Sequence, residues 1–206
     1  MSAPPSIVAF DLMDTVVRDP FREALEAGTG MALEELFQRK RASSWPAFER
    51  GELTESEYWQ QFHDAGIDLD PEAFHEARVG GYEWIAGMRQ LLDDLEGLVR
   101  RVVASNYPVW IEELANGMLG GRFERVLASH HLGVRKPEPA FFERFLDEVG
   151  ADADTVLFVD DRERNVDGAR AVGLRAHLFA GAPDLRARLL AEGVDVPRDR
   201  APERRG

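Results

Sequence analysis

Three short, unbroken apolar runs punctuate the chain, and each stops on a polar residue. Ile7-Val8-Ala9-Phe10 runs into Asp11, Val102-Val103-Ala104 into Ser105-Asn106, and Val156-Leu157-Phe158-Val159 into Asp160-Asp161. Runs of this length bounded by polar residues read as buried strands. Residues 18–81 hold no comparable run. Their apolar residues recur at helical spacing instead, over 21–27, 33–40, 46–50, 55–65 and 71–79. Thr54 ahead of Glu55 and Glu57 has the form of a capping box. Asp70-Pro71 is an N-cap followed by proline at the first helical position.

From Tyr82 the pattern alternates. Helices over 84–95, 109–118, 138–149, 164–172 and 183–191 interleave with strands over 98–104, 125–128, 155–160 and 175–179. Such alternation predicts an α/β fold, a Rossmann-like parallel sheet with helices on both faces. The expected organisation is a core from residues 1–17 and 82–192, an all-helical insert over 18–81 after the first strand, and a flexible tail over 193–206, rich in proline and arginine.

Charge narrows the partners. The chain of 206 residues has a formal net charge of -13, which repels nucleic acid and anionic membranes unless a basic patch overrides the field. No such patch stands out. No apolar run approaches the roughly 20 residues of a membrane helix, and residues 1–6 lack the blocks of a signal peptide. The absence of cysteine excludes thiolate chemistry and disulfides and fits a cytoplasmic setting. The expected partner is a small molecule; oligomeric state is not encoded in anything legible here.

In an open parallel sheet the carboxyl ends of the strands meet at one edge, where ligands bind. Asp11, Ser105, Asn106, Asp160 and Asp161 would converge there, with Lys136 from the Arg135-Lys136-Pro137 segment. Carboxylates suit a hard divalent cation such as Mg²⁺. A lysine would keep them from repelling each other and an incoming phosphate. Each residue also has a plainer reading: Ser105-Asn106 as an N-cap for helix 109–118, Asp160-Asp161 as a cap for the helix near Glu163, Lys136 as a solvated surface residue. Adjacent His130 and His131 rarely point the same way and are not read as a metal site. Trp45, Phe48, Tyr58 and Trp59 read as core of the insert.

The ordered set of motifs resembles the haloacid dehalogenase superfamily. Phe10-Asp11-Leu12-Met13-Asp14-Thr15 is similar to its first motif, Ser105-Asn106 to its second, Lys136-Pro137 to its third, and Asp160-Asp161-Arg162 with Asn165 and Gly168-Ala169 to its fourth. The helical insert is similar to the cap of one branch. Glu49-Arg50-Gly51-Glu52 and the Asp-Asp-x-x-x-Asn pattern look closest to sugar-phosphate phosphatases and the phosphatase domains of epoxide hydrolases. The resemblance implies a Mg²⁺-dependent phosphatase working through an aspartyl phosphate. Asp11, Ser105 and Lys136 would be catalytic. Asp11, Asp160 and the Met13 carbonyl would be metal ligands, while Asp161 would act through water or orient Lys136. Thr15, Asn106 and Arg18 would bind substrate, with Arg22 beside Arg18 as a further anion reader, and Asn165 would brace the fourth motif.

One departure matters. Most family phosphatases carry a second Asp, the general acid and base, where this chain has Met13. A thioether cannot move a proton, so good leaving groups are expected to be favoured, unless Asp14 or a carboxylate of the insert takes the role. Two other functions compete: a metal-independent dehalogenase, against which the Asp160-Asp161 pair argues, and a non-catalytic binder of phosphorylated ligands.

Overall fold

A computed structural model describes residues 3–197. Five strands, β1 (Ile7–Phe10), β2 (Arg100–Ser105), β3 (Arg125–Ala128), β4 (Val156–Asp160) and β5 (Arg175–Leu178), form one parallel sheet in the order β3-β2-β1-β4-β5. Period-two alternation sorts the side chains onto two faces. Val8, Phe10, Val103, Leu157 and Val159 join one buried cluster, while Ile7, Ala9, Val102, Ala104 and Phe158 join the other. Both faces need a cover of helices.

Six helices fall between β1 and β2, and the first five occupy residues 21–80: α1 (Phe21–Thr29), α2 (Leu33–Arg39), α3 (Ser44–Glu49), α4 (Glu55–Asp64) and α5 (Pro71–Gly80). Thr54 Oγ1 accepts from Glu57 N at 3.2 Å and Glu57 Oε2 accepts from Thr54 N at 2.7 Å, closing the expected capping box. Asp70 caps α5 through the amides of Glu72 and Ala73. Helices α1 and α5 lie close because Gly28 has no side chain: a Cβ there would sit 2.8 Å from that of Phe74.

The remaining helices are α6 (Met88–Asp94), α7 (Ile111–Asn116), α8 (Ser129–Leu132), α9 (Pro139–Val149), α10 (Glu163–Ala171) and α11 (Ala182–Ala191). Helix α6 starts later than the sequence pattern suggests. Trp84 instead bridges Val17 in antiparallel fashion, and Ile85 N donates to Val16 O at 2.9 Å, which ties the chain's return to its exit. Helix α8 was not expected, since one turn carries no readable periodicity. Part of the segment expected as a tail, 193–206, is packed instead. Val194 and Val196 are buried with Asp195 exposed between them, an in-out alternation too short to read from sequence, and residues 198–206 lie outside the described residues.

Candidate active site

Registry builds the centre of the site. Phe10 pairs with Val159 across the β1–β4 ladder, so the next residues, Asp11 and Asp160, emerge side by side. Asp11 N donates to Val159 O at 2.8 Å. Strand β1 is also where the chain's direction across the sheet reverses, the point at which open α/β sheets bind ligands. Lys136 arrives from the loop before α9. Its Nζ donates to Asp11 Oδ1 at 2.6 Å, Asp160 Oδ2 at 2.7 Å and the Ala104 carbonyl at 2.8 Å, which uses all three ammonium donors. Asn106 fixes that loop in both directions: its Nδ2 donates to Lys136 O at 2.9 Å and its Oδ1 accepts from Lys136 N at 2.8 Å. Gly168 of α10 lets the loop approach, because a Cβ there would lie 2.7 Å from Pro137 O.

The carboxylates outnumber their partner. Oxygens of Asp11, Asp160 and Asp161 lie within 4.8 Å of one another, against one ammonium. Burial, followed by repulsion from Asp160 and Asp161, works against Lys136 and raises the Asp11 pKa to about 7. Burial also acts against the Lys136 charge, but Asp11 and Asp160 more than offset it, leaving that pKa above the ordinary lysine value. Asp161 is raised by burial and by Asp160, and its buried Oδ1 has no hydrogen-bond partner. Asn165 Nδ2 donates to both oxygens of Asp160 at 3.0 Å, and Arg162 N to Oδ1 at 2.9 Å. An oxygen-only cluster with excess negative charge and an unpartnered buried oxygen fits a hard divalent cation.

Around this centre opens a pocket of about 470 Å³, within the range of small-molecule sites. Helices before β2 furnish one wall, with Phe21, Arg22 and Trp45 among the lining residues. The rings of Phe21 and Trp45 lie 4.1 Å apart. Lys40 Nζ sits 5.2–5.9 Å from the rings of Phe21, Trp45, Tyr58 and Phe62 and makes no hydrogen bond or ion pair among the described residues. Burial lowers its pKa to about 8, with Glu49 opposing. Six cationic side chains (Arg22, Lys40, Arg135, Lys136, Arg162, Arg164) line the pocket against three carboxylates (Asp11, Asp19, Glu49). A basic patch therefore exists in this acidic protein. It escaped the sequence because its members lie on four segments far apart in the chain.

Comparison with known proteins agrees with this geometry. Residues 5–173 match the family described as haloacid dehalogenase-like hydrolase. The chain belongs to that family. It is 33% identical over 192 residues to flavin mononucleotide hydrolase 1 of Arabidopsis thaliana, covering 92% of this chain and 78% of the relative. A sesquiterpene phosphatase of Aspergillus oryzae is 29% identical over 147 residues, 60% of this chain and 73% of the relative. Among solved structures, a HAD-like hydrolase from Porphyromonas gingivalis superposes with a TM-score of 0.76 at 22% identity, over 91% of this chain and 98% of that one. A family enzyme of Bacteroides thetaiotaomicron, solved with magnesium and inorganic phosphate, gives 0.73 at 17% identity, over 86% and 96%. Among the described residues no helix is long and apolar enough to cross a membrane.

Within the family frame, the residues singled out by sequence fall into three groups. Asp11, Lys136, Asp160 and Asp161 come together, and Asn165 braces Asp160. Lys136 makes no hydrogen bond to Asp161, so Asp161 does not orient it. Ser105 and Thr15 are buried, each with a hydroxyl that has no partner, yet neither lines the pocket. Met13 and Asn106 do line it, but the Asn106 side chain is committed to the backbone of Lys136. Arg18 does not line it: paired with Glu23 and directed at the Gly81 carbonyl, it ties the start of the insert to its end, and Arg22 takes the place by the pocket. Asp14 is exposed, at φ +60°, with Oδ1 accepting from Asp19 N. The histidines diverge, His131 holding Ala128 N and Glu112. Lys40, Glu49 and Asp19 were missed as pocket residues. For Lys40 a signal existed, since the chain has two lysines and both line the pocket.

Proposed function

We propose that the protein is a Mg²⁺-dependent phosphatase that hydrolyses a small phosphorylated metabolite through an aspartyl phosphate on Asp11. The observation that carries this reading is a cluster of three carboxylates, two of them held by one buried lysine, at the floor of a cationic pocket. Lys136 holds Asp11 Oδ1, leaving the other oxygen to attack phosphorus. Asp11, Asp160 and the Met13 carbonyl would hold the cation directly and Asp161 through water. When bound, Mg²⁺ would neutralise charge on the phosphoryl oxygens and the carboxylates together. The buried hydroxyls of Ser105 and Thr15, costly to leave unpaired, are donors available to those oxygens. Residues 18–81 act as a cap over the core of 1–17 and 82–192, supplying the wall that contacts the leaving group. Six cations in an acidic protein favour entry of an anion.

Flavin mononucleotide is the first substrate to test. The identity to the Arabidopsis enzyme supports it, and so does an aromatic wall that suits a planar ring. A cytoplasmic setting belongs to the same reading, on the cysteine-free sequence. The experiment is phosphate release from flavin mononucleotide and a panel of sugar and aryl phosphates, with Mg²⁺ or excess chelator, on wild type and Asp11→Asn. Turnover should need Mg²⁺ and fall to background in Asp11→Asn. Undiminished turnover in chelator, or in the variant with deamidation excluded, would overturn the reading.

A further inference from the structure

The phosphatase reading leaves a proton unaccounted for. Expulsion of an alkoxide from a phosphate ester needs an acid, and hydrolysis of an aspartyl phosphate needs a base. Met13 supplies neither, although its side chain occupies the pocket. Asp160 and Asp161 belong to the proposed cation cluster, and Asp14 is exposed and does not line the pocket. Two carboxylates outside the cluster remain in the lining: Asp19 and Glu49. Asp19 Oδ1 is committed to Phe21 N at 3.0 Å, at the start of α1.

Glu49 differs. It ends α3, and its backbone is pinned to the core side of the molecule, Ser129 Oγ donating to Glu49 O at 2.7 Å. Its side chain is 5% exposed. Arg135 Nη2 lies 2.7 Å from Oε2, an ion pair without a well-directed hydrogen bond, so Oε2 has no hydrogen-bond donor of its own. Glu49 and its partner Arg135 line the same pocket as Asp11 and Lys136, with Glu49 on the wall that the helices before β2 furnish.

Resting on the phosphatase reading, we propose that Glu49 is the general acid and base of the reaction, delivered by the helical insert in place of the missing carboxylate at Met13. In the first step the Asp11–phosphorus bond forms and the ester P–O bond breaks. The electron pair stays on the leaving oxygen, which takes the Glu49 proton and departs as an alcohol. In the second step the Glu49 carboxylate takes a proton from water as that water attacks phosphorus. The Asp11–phosphorus bond breaks, releasing inorganic phosphate and restoring both carboxyl groups.

The surroundings suit both directions of transfer. Burial raises the Glu49 pKa, while Arg135, the Trp45 indole, Arg162 and Lys136 pull it back, leaving it at about 7. Lys40, Tyr58 and Arg50 are the other titratable groups that sense its charge. A carboxyl balanced near neutrality can give and accept a proton in one cycle.

The test is a leaving-group series, from p-nitrophenyl phosphate to simple alkyl phosphates, on wild type, Glu49→Gln, Asp19→Asn and the double variant Met13→Asp/Glu49→Gln. Glu49→Gln should lose about 10²-fold or more in kcat on alkyl esters and only about threefold on p-nitrophenyl phosphate. Its loss of kcat above pH 7 on alkyl esters should vanish with the acid, and the double variant should recover part of the alkyl activity. Melting with Mg²⁺ should show all three variants folded. An equal loss across the series would make Glu49 structural, a selective loss in Asp19→Asn would move the role there, and no loss would remove it from the chemistry. Each of these overturns the inference while leaving Asp11-dependent turnover intact. A wild type inactive on every ester would overturn the phosphatase reading, and this inference with it.

Discussion

The pocket has two walls that bury charge in opposite ways. At the sheet edge, Asp11 and Asp160 share one ammonium at 2.6 and 2.7 Å, so each charge is met at contact distance and a surplus of anion remains. On the side of the helical insert, Lys40 lies among aromatic rings without a hydrogen bond, and Glu49 has one cation at contact distance, Arg135. The close pairs fix the Lys136 charge, whose pKa lies above the ordinary lysine value, while burial and the surplus of anion push Asp11 up to about 7. On the insert wall burial dominates, raising Glu49 to about 7 and lowering Lys40 to about 8. The floor therefore holds a fixed cation and a carboxylate that a bound divalent cation would ionise, and the insert wall holds groups that change charge away from that cluster.

Removing the shared cation breaks the floor most severely. Lys136→Met should abolish turnover and destabilise the protein by roughly 3–5 kcal/mol, because two buried carboxylates lose their partner. Urea unfolding at pH 7 checks this, and a loss below 1 kcal/mol would show that the carboxylates are already neutral in the folded protein. Removing an anion should do the reverse. Asp11→Asn relieves the surplus, so its melting temperature should not fall despite the loss of activity. The sign follows from linkage: Asp11 titrates higher folded than unfolded, so its contribution is best below the unfolded value and is lost as pH rises toward about 7.

A divalent cation should act next. Mg²⁺ at 100 times its Kd should stabilise the protein by about 2.7 kcal/mol. The effect should weaken as pH drops below 7, where Asp11 takes up a proton that competes with the metal. Thermal melts with and without Mg²⁺ at pH 6 and 8 read this out. Asp160→Asn should abolish the shift, whereas Glu49→Gln should leave it unchanged, separating floor from wall.

How well each wall could be read from sequence follows from the same contrast. Residues at the sheet edge sit at ends of apolar runs, and parallel registry brings run ends together whatever lies between them; Asp11, Ser105 and Asp160 were legible on that ground, and Lys136 on the resemblance of Lys136-Pro137 to the family's third motif. Wall residues project from helices, where the face toward the pocket depends on tertiary packing. Trp45 illustrates the limit: its spacing reads as core, and it does pack on Phe21 and Tyr58, yet it also lines the pocket. Arg18 was misplaced for a related reason. It lies in the connector, where no periodicity says which way a side chain turns, and it closes the insert on itself instead.

The smallest expected effect tests the wall alone. The Lys40 ammonium is held in a site that opposes its charge, so Lys40→Met should stabilise the protein at pH 7. The fall from 10.5 to about 8 corresponds to roughly 3 kcal/mol at most. Rings on four sides attract the ammonium and offset part of that, leaving about 1–2 kcal/mol. Because this lysine titrates lower folded than unfolded, the unfolded chain binds the extra proton between pH 8 and 10.5, and wild-type stability should rise with pH across that window relative to the variant. Denaturant midpoints of the two proteins at pH 7, 9 and 10.5 should converge. Parallel curves would mean that the rings fully compensate the burial, and the wall would then hold its cation as the floor holds Lys136.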